Sequence, residues 1–288
     1  MGLHLKKLIM TILVLFVIVT LSAISRAEEQ TQQKPEESKV TGEIGLSALS
    51  AYIWRGQELT RHSVVVQTAV TVSYSGFALN AWGNLDTRPY ATDDSKYASQ
   101  HTETDYTLSY SQKFGILQIT PGYIYYALEA PYSGASDPLD SQEIFLTLGL
   151  DTILQPTLTT YKEIDHYHQW YFLLGISHTF EFNKIVSLKL AASASYLLST
   201  DEMTYAKYDS DSLATTDKFN NFHDGMVTVS LPLTVYKTLT VTPTLSYVFP
   251  LSDDARYEMR ARSVQGATVP SDKDSDYIYG GLTLSYTF

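Results

Sequence analysis

Cysteine is absent from this chain of 288 residues. Its absence excludes disulfide scaffolds, thiolate metal sites, cysteine nucleophiles and lipid attachment through a processed cysteine. Basic residues are also scarce, since 20 Lys and Arg stand against 31 Asp and Glu. Neutralising a nucleic-acid backbone requires a surplus of Lys and Arg, so the composition argues against a nucleic-acid-binding protein.

A long apolar run occurs only at the N-terminus. Lys6 and Lys7 precede a largely apolar stretch from Leu8 to Val19, and Ser25-Arg26-Ala27 offers small residues at the positions that a signal peptidase inspects. We therefore predict a signal peptide over residues 1–27, cleaved after Ala27. The alternative is an uncleaved single-span anchor, because the apolar stretch approaches the roughly 17 to 25 residues needed to cross a bilayer.

The segment that follows has no apolar periodicity. Residues 28–41 are rich in Glu, Gln and Lys, as expected of a flexible periplasmic leader. From residue 42 to residue 288 the pattern changes, and apolar residues recur at every second position over segments of about ten residues. Such segments are typical of transmembrane β-strands, in which lipid-facing and lumen-facing side chains alternate.

One predicted strand illustrates this alternation. Phe77 and Leu79 are predicted to face outward, whereas Asn80 and Asn84 are predicted to face inward. Short connectors such as Ser75-Gly76 alternate with much longer loops along the chain. Membrane barrels have the same asymmetry, with short periplasmic turns at one end and long external loops at the other.

These features predict an all-β fold, a transmembrane antiparallel up-and-down β-barrel of about 12 strands over residues 42–288. The first strand is predicted from Glu43 to Arg55, a weak strand lies near residues 156–165, and the loop from Leu251 to Ser275 is long enough to hide another. A soluble β-sandwich also alternates, but its strands centre on about five or six residues, whereas spanning strands need about 9 to 11.

Three local sequences carry a resemblance to a known family. The chain reads Ser50-Ala51-Tyr52-Ile53-Trp54-Arg55-Gly56, continues with a Val-rich strand and Ser75-Gly76-Phe77-Ala78-Leu79-Asn80-Ala81-Trp82, and ends in Phe288. In these elements it resembles the TorF-type porin family of Gram-negative outer-membrane β-barrels. The resemblance covers the first three strands and implies outer-membrane lipid and lipopolysaccharide as the surroundings. The terminal Phe288 resembles the signal that the barrel assembly machinery reads.

The expected function is that of an outer-membrane porin-like channel for passive or facilitated diffusion of small hydrophilic solutes. About eight strands leave a filled interior and about 16 to 18 leave an open channel, so about twelve predict a narrow lumen partly occupied by side chains and loops. The alternatives are a receptor or adhesin that acts through external loops, such as the acidic and aromatic loop from Asp201 to Asn221, and a barrel enzyme that acts on lipid.

Five charged residues are candidates for lining the pore. They are Arg55, Glu103, Asp105, Glu143 and Lys189. If Trp54 faces lipid, Arg55 faces the lumen near the external rim, where it either forms part of a constriction that attracts an anionic or zwitterionic solute or pairs with a lumen carboxylate. The carboxylates and Lys189 either orient solutes across the lumen or are simply solvated. Because acids outnumber bases in this set, we predict a mild preference for cations.

Catalytic and metal-binding patterns are weak. His166 and His168, with Asp165 beside them, could present both rings on one face of a strand end, but the spacing supplies no third ligand. No nucleophile elbow, Gly-rich phosphate loop or metalloprotease helix occurs in the sequence. We therefore predict a protein that is not an enzyme and needs no cofactor.

Overall fold

The structure, a computed structural model, describes residues 39–60, 63–87, 99–130, 136–263 and 274–288. The predicted signal peptide lies outside the described residues, and so does the predicted leader up to residue 38. The strands in chain order are β1 (Thr41–Leu49), β2 (Ile53–Trp54), β3 (Gln57–Glu58), β4 (Val65–Tyr74), β5 (Phe77–Asp86), β6 (Gln100–Tyr110), β7 (Gln112–Phe114), β8 (Leu117–Leu128), β9 (Ser141–Leu150), β10 (Thr157–Glu163), β11 (Gln169–Glu181), β12 (Ser187–Ser199), β13 (Ala206–Tyr208), β14 (Ala214–Lys218), β15 (Asn220–Ser230), β16 (Leu233–Tyr236), β17 (Leu239–Pro250) and β18 (Tyr277–Thr287). Helix α1 (Asp253–Arg262) lies between β17 and β18.

Twelve of these strands form one closed antiparallel barrel. They are β1, β4, β5, β6, β8, β9, β10, β11, β12, β15, β17 and β18. Each pairs with the next along the chain, and β1 pairs with β18 to close the ring. The fold class predicted from the sequence is thereby confirmed. Because the number of strands is even, both ends of the barrel chain lie at the same end, which we call the termini end; the opposite one is the loop end.

The outer surface of the barrel is apolar. Large apolar side chains are exposed at alternate positions of the strands, including Ile44, Leu46, Val70, Val72, Leu79, Leu108, Ile144, Leu146, Ile176, Leu190, Val227, Val229, Leu245, Leu282 and Leu284. Exposed aromatic side chains gather around the termini end, namely Tyr74, Phe77, Tyr110, Phe114, Phe180, Phe182, Tyr236, Tyr286 and Phe288. A continuous apolar surface suits hydrocarbon, and a girdle of aromatic rings suits the boundary between hydrocarbon and water.

No helix among the described residues is long and apolar enough to cross a membrane.

The inner surface carries hydroxyl groups that pair between neighbouring strands. Ser47 Oγ lies 2.8 Å from Thr283 Oγ1, and Thr147 Oγ1 lies 2.9 Å from Thr159 Oγ1. These residues sit at positions between the outward apolar ones, as the period of two requires. The barrel wall is therefore polar inside and apolar outside.

Three details differ from the sequence prediction or sharpen it. The first strand ends at Leu49 rather than at Arg55, because the chain leaves the barrel wall there and turns inward. The weak strand near residues 156–165 is β10, the shortest strand of the barrel. The loop from Leu251 to Ser275 holds helix α1 in its described part rather than a further strand.

Candidate functional site in the lumen

A short hairpin folds into the barrel from the loop end. Its strands β2 and β3 pair with each other, and the two residues between them are Arg55 (φ 46°) and Gly56 (φ 76°). Positive φ at both central residues is characteristic of the type I′ turn, whose twist matches that of the strands it joins. We call residues 51–60 the plug hairpin.

The plug hairpin corrects the sequence interpretation of Trp54. The Trp54 ring lies inside the barrel, edge-on to Tyr126 at a centroid distance of 6.4 Å. The Arg55 side chain is also inside and is only 7% exposed. The alternation of the first strand cannot be continued past Leu49, because residues beyond that point no longer belong to the barrel wall. Trp54 therefore does not face lipid.

Arg55 joins the tip of the plug hairpin to the barrel wall. Its Nη1 and Nη2 donate to the two carboxylate oxygens of Glu143 at 2.8 and 2.7 Å. The guanidinium carbon lies 4.5 Å from the ring centroid of Trp54, 5.0 Å from that of Tyr161 and 4.4 Å from that of Tyr171. Bidentate pairing and stacking on rings are the two modes by which a guanidinium is held away from water.

Glu103 and Asp105 face the lumen from β6, near the loop end. Tyr106, on the opposite face of this strand, is 51% exposed. The Tyr52 hydroxyl of the plug hairpin donates to Glu103 Oε2 at 2.8 Å. Asp105 Oδ1 is buried and accepts no hydrogen bond from the described residues. Neither side chain forms an ion pair with a Lys or Arg in the described part of the chain.

Helix α1 packs against the plug hairpin through β3 and against the wall strands β15 and β17. Ser252 begins the helix, and its Oγ accepts a hydrogen bond from the Ala255 backbone nitrogen at 3.1 Å. Acidic residues occupy the first turn and basic residues the last, which suits the helix dipole. The face turned to the hairpin buries Ala255, Glu258 and Met259.

Glu258 is fully buried, and four groups surround its carboxylate. Gln57 Nε2 donates to it at 2.8 Å, the Tyr205 hydroxyl donates at 2.5 Å, His223 Nε2 lies at 2.8 Å and Arg262 Nε at 3.2 Å. Burial, together with the neighbouring Glu258 carboxylate, raises the pKa of the Tyr205 hydroxyl well above its usual value. That hydroxyl therefore stays protonated and remains a donor.

The same network continues from His223 to the barrel wall. The second ring nitrogen, Nδ1, lies 2.9 Å from Asp224 Oδ1, which also accepts from the Tyr171 hydroxyl at 2.8 Å and from Ser195 Oγ at 2.7 Å. A carboxylate can only accept, so an imidazolium that donates from both nitrogens satisfies both acids. This chain of contacts ties helix α1 to the strands β11, β12 and β15.

The segment between β12 and β15 also folds inward. Tyr205 is 2% exposed and Phe219 is fully buried, while β13 and β14 form a small hairpin between them. The Arg262 guanidinium stacks on the Tyr205 ring with its carbon 3.8 Å from the centroid. These two aromatic residues of the loop from Asp201 to Asn221 therefore help to fill the lumen.

Two cavities flank the tip of the plug hairpin. The one nearer the loop end, which we call the loop-end cavity, has a volume of about 330 Å³, and its walls include Tyr52, Trp54, Glu103, Tyr126 and Gln169. The other, the deep cavity, has a volume of about 280 Å³, and its walls include Trp54, Arg55, Ile124, Tyr126 and Leu173. Trp54 and Tyr126 border both cavities, so the hairpin tip separates them.

The structure places four of the five candidate pore residues near the hairpin tip and one elsewhere. Arg55 and Glu143 pair directly, and Glu103 and Asp105 lie on the neighbouring part of the wall. Lys189 is exposed, lies on β12 close to the termini end and forms no ion pair with the described residues. Sequence reasoning missed the network around Glu258, although a Ser cap, acidic first turn and basic last turn do signal a helix there.

The histidine pair has structural contacts. His166 Nδ1 lies 2.8 Å from the Asp140 carbonyl oxygen and 3.3 Å from an Asp165 carboxylate oxygen. The backbone nitrogens of both histidines donate to the Glu163 carboxylate, each at 2.7 Å. The described residues contain no group of three or more His, Asp or Glu side chains that could hold a metal ion.

The sequence matches no protein-family model and no curated protein. Similar solved structures include the KdgM porin, with a TM-score of 0.49 and 11% identity over 85% of this chain and 99% of that chain. The NanC porin has a TM-score of 0.47 and 10% identity over 86% and 98% of the two chains. The COG4313 outer membrane channel from Pseudomonas putida F1 has a TM-score of 0.44 and 7% identity over 89% and 97%. The assignment of a twelve-stranded barrel rests on the hydrogen-bond register of this chain itself.

Proposed function

We propose that the protein is a narrow outer-membrane channel, of the TorF type, that allows passive or facilitated diffusion of small hydrophilic solutes. The observation that carries this proposal is the combination of an apolar outer wall with a hydroxyl-lined inner wall that encloses cavities on both sides of the plug hairpin. An apolar exterior fits a lipid bilayer, and a polar interior with cavities fits water and solute.

Features at the two ends of the chain support the proposed location. We propose that a signal peptide cleaved after Ala27 exports the protein, that residues 28–41 form a periplasmic leader and that Phe288 is read by the barrel assembly machinery. Phe288 is 54% exposed at the termini end, and its backbone pairs with Gly42 through hydrogen bonds of 2.8 and 2.9 Å. The aromatic ring is thus available while the last strand is fixed. Mass spectrometry of the mature protein should find Glu28 as the first residue.

The contents of the lumen limit what can pass. The plug hairpin, helix α1 and the segment around Tyr205 all occupy the barrel, so a solute must fit between them or displace the hairpin. A lumen of this kind favours small solutes and selective rather than general permeation.

Liposome swelling tests the proposal most directly. Proteoliposomes with the full mature protein are exposed to sugars, amino acids and organic acids of graded size, with protein-free liposomes as the control. We expect swelling with the smallest solutes and a steep fall with size. If no solute enters, and planar bilayers show no conductance, the proposal of a channel is wrong. The hypothesis of a receptor or adhesin then replaces it.

A receptor that acts through external loops has less support. The loop from Asp201 to Asn221, its best candidate in the sequence, places Tyr205 and Phe219 inside the barrel. Lipid hydrolysis would require a nucleophile, a base and a group that orients the base. Ser195 contacts Asp224 rather than His223, so the described residues around the buried histidine do not form such an arrangement.

A further inference from the structure

The loop-end cavity is lined by aromatic rings and by hydrogen-bond acceptors. Its walls include the rings of Tyr52, Trp54, Tyr126, Tyr167 and Tyr205. Two carboxylates, from Glu103 and Glu129, also belong to its walls. Aromatic rings next to carboxylates form a chemical environment that attracts organic cations.

The carboxylates of this cavity have no basic partner in the part of the chain that the structure describes. Among the described residues, neither Glu103 nor Glu129 pairs with a basic side chain. Of the described residues in the cavity wall, Arg262 is the one that is basic. Its guanidinium is already engaged, because Nε lies 3.2 Å from Glu258, Nη2 donates to the Thr204 carbonyl oxygen at 3.1 Å, and the Tyr205 ring stacks on it.

A second, independent feature points to a ligand with hydrogen-bond donors. Gln169 lines the cavity, its side chain is buried to 2% exposure, and its Oε1 has no hydrogen-bond partner among the described residues. A buried acceptor without a partner is unfavourable, so a ligand donor that reaches Gln169 Oε1 gains a favourable contact.

We propose that the loop-end cavity binds a small organic cation, a primary ammonium attached to an apolar or aromatic body. The ammonium pairs with the carboxylate of Glu103 and supplies a hydrogen bond to Gln169 Oε1, while the body packs against Trp54 and Tyr126. The volume of about 330 Å³ lies within the range of about 300–1,000 Å³ that small-molecule sites occupy. That such cations are also the solutes the channel selects rests on the proposed function; binding does not.

Three small probes that share a benzene ring but differ in charge test the site. Benzylammonium, benzyl alcohol and benzoate are titrated by calorimetry into the full mature protein in detergent, with empty micelles as the blank. We expect benzylammonium to bind at least about tenfold more tightly than benzyl alcohol, since only the ammonium can form a charge-assisted hydrogen bond with Glu103. Benzoate should not bind measurably.

Matched variants locate the binding site. Glu103→Gln removes the charge but keeps an acceptor for the Tyr52 hydroxyl, and it should weaken benzylammonium binding about tenfold. Gln169→Leu should weaken it less, because only one neutral hydrogen bond is lost. Glu181→Gln is the control, since Glu181 is exposed at the termini end of β11 and should leave the affinity unchanged.

The outcomes separate this inference from the channel proposal. Equal binding of benzyl alcohol, tighter binding of benzoate, or full affinity in Glu103→Gln would each overturn the cation site, whatever the liposomes show. Binding as expected with no permeation of any solute would leave the site intact and remove the channel function. Permeation of small neutral solutes without benzylammonium binding would support the channel function and overturn the cation site.

Discussion

Arg55 and Glu143 are separated by 88 positions in the sequence and meet inside the barrel in a bidentate ion pair. One partner belongs to the tip of the plug hairpin and the other to the wall strand β9. The pair therefore fixes the hairpin across the lumen between the two cavities. Because the side chains of Arg55 and Glu143 are only 7% and 2% exposed, water does little to screen their attraction.

The first prediction concerns release of the plug hairpin. Arg55→Ala should raise the single-channel conductance in planar bilayers, because the hairpin tip loses its attachment and Glu143 is left unpaired. Removing one partner of a buried pair costs about 3–5 kcal/mol, so the thermal midpoint of unfolding should also fall. Lys189→Ala is the control, since this exposed residue near the termini end anchors no inserted segment. An unchanged conductance in Arg55→Ala would show that the pair does not hold the constriction.

The second prediction tests how the hairpin tip packs. A Cβ on Gly56 would lie 2.8 Å from Met259 Cε and 3.1 Å from Asp224 Cβ, whereas a Cβ on Gly115 would meet nothing within 4 Å. Both glycines have positive φ, so both Gly→Ala changes carry the same backbone strain of about 1 kcal/mol. Gly56→Ala should therefore destabilise the protein more than Gly115→Ala does. Urea unfolding in detergent measures the difference, and equal effects would contradict the packing of helix α1 on the hairpin.

The third prediction tests which face of the wall meets lipid. Val70 is 43% exposed on the outside, in the middle of β4, and its neighbour Thr71 faces the cavity of about 540 Å³ at the termini end. Val70→Arg should reduce the free energy of folding into vesicles by roughly 2–4 kcal/mol, as for an arginine placed at the midplane of hydrocarbon. Thr71→Arg should cost much less, because its charge reaches water. Similar costs for both changes would mean that the outer face is not in lipid.

The fourth prediction concerns the charge selectivity of the pore. The reversal potential in a salt gradient should reveal a mild preference for cations, because Glu103 and Asp105 face the lumen without basic partners among the described residues. The double variant Glu103→Gln, Asp105→Asn should lose this preference. A preference for anions in the wild type, or unchanged selectivity in the double variant, would mean that other charges control permeation.

The period of two explains why the sequence predicts so much of the barrel wall. On a strand, every second side chain points to the same face. Assigning Leu108 to lipid therefore assigns Asp105 and Glu103, which lie three and five positions away on β6, to the lumen. The closed ring of twelve strands follows from counting such segments. Glu143 is placed on the inner face by the same rule.

The segments that fill the lumen could not be predicted from the period of two. Arg55 leaves the alternating pattern at a turn, and its partner Glu143 is fixed only when the ring has closed and brought β9 to face the plug hairpin. Helix α1 carries the buried Glu258 at a position where a periodic pattern would have an apolar residue. The protein tolerates this carboxylate because Gln57, Tyr205 and His223, from three other parts of the chain, contact it. Local periodicity thus determined the wall, which depends on neighbours along each strand. The tertiary structure alone decided the plug, because its stability comes from charges and hydrogen bonds between distant segments.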